Sequence, residues 1–318
     1  MSGSDGASPA VFVLGEPLLE LSSDEPLETA QSLSLSFSGD ALNAAAASAA
    51  AGVRTSLVSR VGEDEIGTRL LAYAESLGVD TEAVLRGPEP TGAYLVGADP
   101  EGHRDFVYLR SGSAAAAMQP AHLDRLSIEQ ASVLLVSGIA MASSPSLADT
   151  VVEAARLVAQ AGGQVVYDPN FRRRLTTPAE ARAHLERLVP WVSVVVPSAP
   201  ADSRALVETA DPGAVIERLR DLGCRDVVIT EGAAGAHLAL ADAEIVHVPA
   251  MDPGAVRDAT GAGDVFVGTL AAGLAHGRLD VELVRTASAA AALSLAGRGG
   301  TGHLARRADV ESLARTSR

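Results

Sequence analysis

The chain has 318 residues, a formal net charge of -15, 47% apolar side chains and 3% aromatics. That acidity argues against nucleic acid or an anionic membrane as the main partner, since both call for a basic surface. There is no lysine, which excludes the P-loop pattern G-x-x-x-x-G-K-[ST] and a protein-kinase β3 lysine. The single cysteine, Cys224, excludes an intramolecular disulfide framework and a multi-cysteine zinc site.

The length suits one α/β core with a small appendage. Alanine-rich runs at 44–51, 114–117 and 287–292 predict closely packed helices around an aliphatic interior. Neither a signal-type leader nor a run of about 20 apolar residues occurs, so a cytoplasmic location is expected. Residues 1–9 read as a disordered tail.

In chain order, residues 11–15 read as a strand, 43–51 as a helix, 55–61 as a strand and 65–77 as a helix with an apolar face. Residues 18–37 and 91–110 interrupt that alternation: the second holds TGAYLVGA and RDFVYLR, two β-like runs around a DPEG turn at 99–102. These segments are expected to pair into a small sheet standing off the body. The β/α rhythm then resumes with strands at 132–138, 164–167, 192–196 and 226–230, and helices at 146–161, 178–188 and 212–222. A hairpin at 235–248 and helices at 262–275 and 281–295 follow. The alternation predicts a mostly parallel sheet covered by helices, with ligands beyond the carboxyl ends of its strands.

Four places carry polar groups suited to chemistry. At 256–266, VRDATGAGDVF, glycines let backbone N–H groups converge on an anion at a helix start and deliver the carboxylate of Asp264 beside it; a simple helix cap is the alternative. After the strand 164–167, Asp168, Asn170 and Arg172 alternate and would share one side of an extended backbone, or else form a surface loop tied by an Asp–Arg pair. Ser38, Gly39, Asp40 and Asn43 open the alanine-rich helix and either cap it or meet sugar hydroxyls. Tyr94, Tyr108 and Arg110 lie on the small sheet, the last two on one face, either as ordinary surface residues or as an exposed edge recognising an anion.

The motifs SGDALN (38–43), VGEDEIG (61–67), YLRSGSA (108–114), DPNFR (168–172) and DATGAGD (258–264) together resemble the ribokinase-like sugar kinases, the PfkB family, in order and spacing from about 11 to 313. The resemblance implies a three-layer α/β/α fold with a mostly parallel sheet. One domain, 10–318, would carry a small β-sheet lid from about 18–37 and 91–110. GEPLLEL (15–21), the R-x-G-S-A run and DPNFR look most like 2-keto-3-deoxygluconate kinases. A fructokinase-like specificity, or a catalytically weakened sugar- or nucleotide-binding relative, are the other readings.

Carried over residue by residue, the resemblance gives Gly39, Asp40, Asn43, Tyr94, Tyr108, Arg110, Asp168 and Asn170 to the sugar pocket, and Arg172 to a sugar-acid carboxylate. Asp264 would be the base, with backbone N–H groups of Gly261, Ala262 and Gly263 as the anion hole. ATP would lie along Ser198, Thr230, Gly232 and Gly235, its adenine between that loop and the helix 281–295. Mg²⁺ is implied as well. Where relatives usually carry N-x-x-E after the proline, this chain has Ser198 and Ala201, with Asp202 next in line as a possible metal partner. Glu231 would repel a triphosphate unless it turns away or meets a metal. A small-molecule sugar or sugar acid is the expected partner, and the lid sheet is a possible homodimer surface.

Overall fold

The computed structural model describes residues 10–98, 104–241 and 243–316; the expected tail at 1–9 and turn at 99–102 lie outside the described residues. β1 (Ala10–Leu14) is buried along its whole length, as an uninterrupted apolar run in a central parallel strand must be. The chain then leaves the body for β2 (Leu18–Ser22) and β3 (Ser34–Ser38) and returns through α1 (Asp40–Ala50). β4 (Arg54–Gly62) and α2 (Glu65–Ser76) follow. Asp64 caps α2 by accepting from Gly67 N at 2.6 Å, and its other oxygen accepts from Thr91 N at 2.9 Å. That carboxylate therefore ties the helix start to the segment leading into the small sheet, which gives the VGEDEIG motif a structural role.

β5 (Val84–Gly87) ends one edge of the body, and β6 (Ala93–Ala98) and β7 (Arg104–Leu109) complete the outer sheet. β8 (Val133–Ser137), α3 (Gly138–Ser143), α4 (Pro145–Gln160), β9 (Gln164–Asp168), α5 (Pro178–Leu188) and β10 (Val194–Val195) continue the rhythm. α4 begins with a Ser144 cap and Pro145, and α5 with a Thr177–Glu180 capping box and Pro178, the start signals that made both legible. α6 (Ala201–Val207), α7 (Pro212–Asp221), β11 (Asp226–Thr230), β12 (Ala236–Ala239), β13 (Val246–Val248), α8 (Ala262–His276), α9 (Val281–Ser294) and α10 (Arg307–Thr316) end the chain.

Nine strands form one sheet in the order β13-β12-β11-β10-β9-β8-β1-β4-β5, parallel except for β12 and β13. Two apolar layers cover its faces, one built from α3, α4, α5 and α7, the other from α1, α2, α8 and α9. Cys224 is buried in the first layer, and burial pushes its thiol up to about 12. The four-stranded sheet β3-β2-β6-β7 stands apart, with Leu18, Tyr94 and Val96 as its own small core.

Several expectations shift. α1 starts at Asp40 rather than Asn43, so Asn43 sits inside the first turn. The strand expected at 192–196 shrinks to Val194–Val195, because Val192 N still bonds Leu188 O as the preceding helix unwinds. Gly138 opens α3 instead of ending a strand. β5, α3, α6 and α10 were not anticipated; the first three are too short to display a period.

Candidate active site

A close contact between α1 and α8 creates the site. α8 carries Gly268 against α1, where a Cβ would lie 2.2 Å from Ala44 O. This approach is possible only because both helices present small residues, and it brings their N-terminal ends together. There Asn43 Nδ2 donates to Asp264 Oδ2 at 2.8 Å. From the other side Asn170 Nδ2 reaches Asp264 Oδ1 at 3.4 Å.

Two carboxamides thus orient the carboxylate of Asp264. Burial, then Asp40, pushes its carboxyl up to about 7 against the opposing pull of Asn43, Arg172 and Asn170. A base poised near neutrality suits proton abstraction from a hydroxyl. Gly261 enters α8 in the left-handed region at φ 79°, and a Cβ there would meet Gly300 Cα at 2.3 Å. No side chain caps α8. Its Ala262 N–H reaches Ala259 O at 3.3 Å, while the N–H groups of Gly261 and Gly263 donate to no other described residue. A positive helix end with free N–H groups can receive an anion.

Neither capping reading survives at α1. Gly39 occupies the cap position at φ 114° without any side-chain bond, and Asp40 accepts from Ser137 Oγ at the end of β8. Asn43 and Asn170, expected to face a sugar, line the smaller of the site's two cavities and each also gives one amide contact to Asp264. The loop after β9 is also not extended: Asn170 lies at φ 40° and its N–H donates to Asp168 Oδ1 at 3.0 Å. An Asn tolerates that left-handed turn. The turn still keeps Asp168, Asn170 and Arg172 on the wall of one cavity, and no ion pair joins Asp168 to Arg172.

Arg110 differs most from expectation. Instead of an exposed guanidinium on a sheet edge it is buried, with Nη2 2.5 Å from Glu16 Oε2. Glu16 also accepts from Ser113 Oγ at 2.5 Å and from Ser143 Oγ at 3.3 Å. Burial raises its carboxyl despite the neighbouring Arg110. Gly92 leaves room for this carboxylate, since a Cβ there would sit 2.3 Å from Glu16 Oε1. The pair joins the end of β1 to the end of β7, and removing either partner would strand a buried charge. Arg174 Nη1 donates to Phe106 O, a second tie between the outer sheet and the body. Tyr94 donates its hydroxyl to Glu20, and burial raises its pKa first, with Glu20 adding to the shift.

Asp264 lies at the boundary of two cavities. One of about 270 Å³ is lined by Gly39, Asp40, Asn43, Tyr94, Tyr108 and Arg110, with Arg172 also on its wall. The other, about 670 Å³, has Asp168, Ser198, Asp202, Thr230, Arg257 and Gly263 on its wall. Asp264, Gly261, Asn170 and Arg172 belong to both.

On the larger cavity's floor, Asp202 accepts from Ser198 N and Ser198 Oγ, each at 2.7 Å, and from Phe171 N at 2.6 Å. Three donors occupy this carboxylate, which pins the 198 loop to the DPNFR loop. Burial raises the carboxyl of Asp168, with Asp202 and Asp264 adding to the shift. Ser198 bridges Thr230 across the strand ends. Glu231 meets His237 Nε2 at 2.8 Å.

Sequence reasoning missed Glu16, Ser137, Phe106, Asp258 and Arg257. Phe106 lines both cavities. Asp258 holds the GAGD turn by accepting from Thr260 N at 3.0 Å and Gly299 N at 2.8 Å. Glu16 and Asp258 were visible inside the GEPLLEL and DATGAGD motifs, whereas Phe106 and Ser137 carry no local signal.

A family model described as pfkB family carbohydrate kinase matches residues 10–305. A 2-dehydro-3-deoxygluconokinase of Thermoproteus tenax is 32% identical over 311 residues, covering 93% of each chain. A fructokinase of Klebsiella pneumoniae is 30% identical over 275 residues, covering 84% of this chain and 85% of its own. Among solved structures, an E. coli protein described as ribokinase II, in complex with ATP and Mg²⁺, superposes with a TM-score of 0.85 at 26% identity, covering 97% of this chain and 99% of that one.

Proposed function

The chain belongs to the pfkB family of carbohydrate kinases, and on that premise we propose that it transfers the γ-phosphoryl group of ATP to a terminal hydroxyl of 2-keto-3-deoxygluconate. The observation that carries this reading is the position of Asp264 between two cavities. The smaller would take the sugar acid and the larger the nucleotide, so the acceptor hydroxyl and the γ-phosphate meet at one carboxylate. Phosphoryl transfer asks for positioning and charge neutralisation more than for covalent chemistry. Asp264 would take the hydroxyl proton as the bond to phosphorus forms, and the N–H groups of Gly261 and Gly263 would receive the transferred group.

Acid specificity would rest with Arg172. Arg110 is already paired with Glu16, whereas Arg172 is exposed and, among the described residues, donates only to Phe171 O. Its planar fork can hold both carboxylate oxygens. The outer sheet, with Tyr94 and Tyr108 on the sugar cavity, would act as the lid that excludes water.

Among the described residues no group of three or more His, Cys, Asp or Glu side chains could hold a metal, and Asp202 is engaged by its three donors. Mg²⁺ would accordingly enter on the phosphates. Asp168 fits beside it, because a carboxyl crowded by Asp202 and Asp264 gains from a cation. Bound there, the ion would neutralise phosphate charge. No helix of the described residues is long and apolar enough to cross a membrane, and we take the working location to be the cytoplasm, where ATP is available. We also infer a homodimer through the lid sheet, on the exposed Leu35, Val107 and Leu109 of its outer strands.

An ADP-release assay with MgATP and a panel of 2-keto-3-deoxygluconate, fructose and ribose tests the reading. The sugar acid is expected to give the highest kcat/KM, and Arg172→Ala to lower kcat/KM for the acid about 10- to 100-fold while changing fructose little. Equal losses would remove Arg172 from carboxylate recognition, and absence of turnover on every sugar would favour a weakened, binding-only relative.

A further inference from the structure

Two imidazoles stand directly opposite each other on β12 and β13, where His237 pairs with His247 in the antiparallel register. Their rings lie 4.8 Å apart between centroids. His237 Nε2 meets Glu231 Oε2 at 2.8 Å, and His247 Nε2 meets Ala234 O at 2.8 Å. Each contact requires only that Nε2 carry its proton, since a carboxylate and a carbonyl can only accept.

Both acceptors belong to the tight turn after β11, closed by Glu231 N to Gly235 O and Ala234 N to Glu231 O. That turn follows Thr230, which lines the larger cavity. An ionised carboxylate on a turn meant to approach phosphate oxygens would repel them. Gly235, at φ 99° and with 2.2 Å between an added Cβ and Val248 O, seats the turn against the backbone beyond β13.

We propose that His237, braced by His247, is a positioning residue that holds the Glu231 carboxylate away from the phosphates of a nucleoside triphosphate. The inference rests on the reading of 230–235 as the nucleotide loop. In His237→Ala the carboxylate is released and KM for ATP rises roughly 5- to 10-fold, while kcat and KM for the sugar stay within about twofold of the wild type. Adding Glu231→Gln to that variant returns KM for ATP to the wild-type value, a rescue that a merely structural histidine would not permit.

An unchanged KM for ATP in His237→Ala, or a raised one that Glu231→Gln does not restore, overturns the proposal and leaves the kinase reading intact. Calorimetric titration of the wild-type chain with MgATP separates the two: failure to bind overturns both.

Discussion

At the scale of single residues the site raises the proton affinity of one carboxylate, which suits the base role proposed for Asp264. Asp264 gains protons through burial and the nearby Asp40, and loses them through the amides of Asn43 and Asn170 and the charge of Arg172. A base is active only when deprotonated, and a raised pKa means that protonation sets in at a higher pH than for an ordinary Asp. In the free enzyme, kcat/KM is therefore expected to fall as pH drops through about 7, approaching tenfold per pH unit below it. Asn43→Ala removes a donor that stabilises the charged form, so the same limb should move to higher pH; a limb that stays put or moves down would show that another group governs it. Asp264→Asn is expected to lower kcat about 10²- to 10⁴-fold with little change in KM for the sugar, as read in steady-state kinetics. Near-normal turnover would remove Asp264 from the base role.

At the scale of elements, the contact between α1 and α8 sets the geometry that those residues use. Gly268 lies where any side chain would run into the Ala44 carbonyl, and interiors resist added methyl groups because neighbours must leave their preferred positions. Gly268→Ala should cost about 1–3 kcal/mol of stability by overpacking, seen as a lower Tm. It should also depress kcat by widening the Asn43–Asp264 hydrogen bond of 2.8 Å. A variant that loses stability but keeps full kcat would separate the helix contact from the chemistry. Asp202 acts between elements in the same way: a side chain at the start of α6 fixes the backbone of the 198 and 171 loops together. The position looked like a displaced metal ligand in the linear chain, yet its oxygens are turned toward protein N–H and O–H groups.

At the scale of the whole molecule, the outer sheet is fastened to the body by the buried Glu16–Arg110 pair and by Arg174, while its edge strands still present exposed apolar side chains. Leu35, Val107 and Leu109 are 40%, 43% and 56% exposed, on β3 and β7 at the two edges of that sheet. Apolar edge strands invite pairing with another chain. Sedimentation should accordingly show a dimer for the wild type and a monomer for Leu109→Asp; a monomeric wild type would refute the inferred assembly. On an acidic molecule of net charge -15 the two cavities differ: Arg110, Arg172, Arg173 and Arg174 outnumber Asp40 and Asp264 on the smaller one, whereas Arg172 and Arg257 face Asp168, Asp202, Asp258 and Asp264 on the larger.

The sequence by itself determined the β/α alternation, the outer sheet, most helix starts and the GAGD turn, because period, caps and glycine placement are local and were written in consecutive residues. Only the tertiary structure decided what those residues do to one another. Asn43 and Asn170 read as sugar ligands and do line the smaller cavity, but each also turns its amide to Asp264. Arg110 read as an exposed cation but is neutralised by Glu16, a residue far away in the chain, and Asp202 binds backbone N–H groups supplied by two loops. Hydrogen-bond partners and proton affinities depend on which groups folding brings within about 3 Å, and that distance is set by the packing of helices and strands remote in sequence.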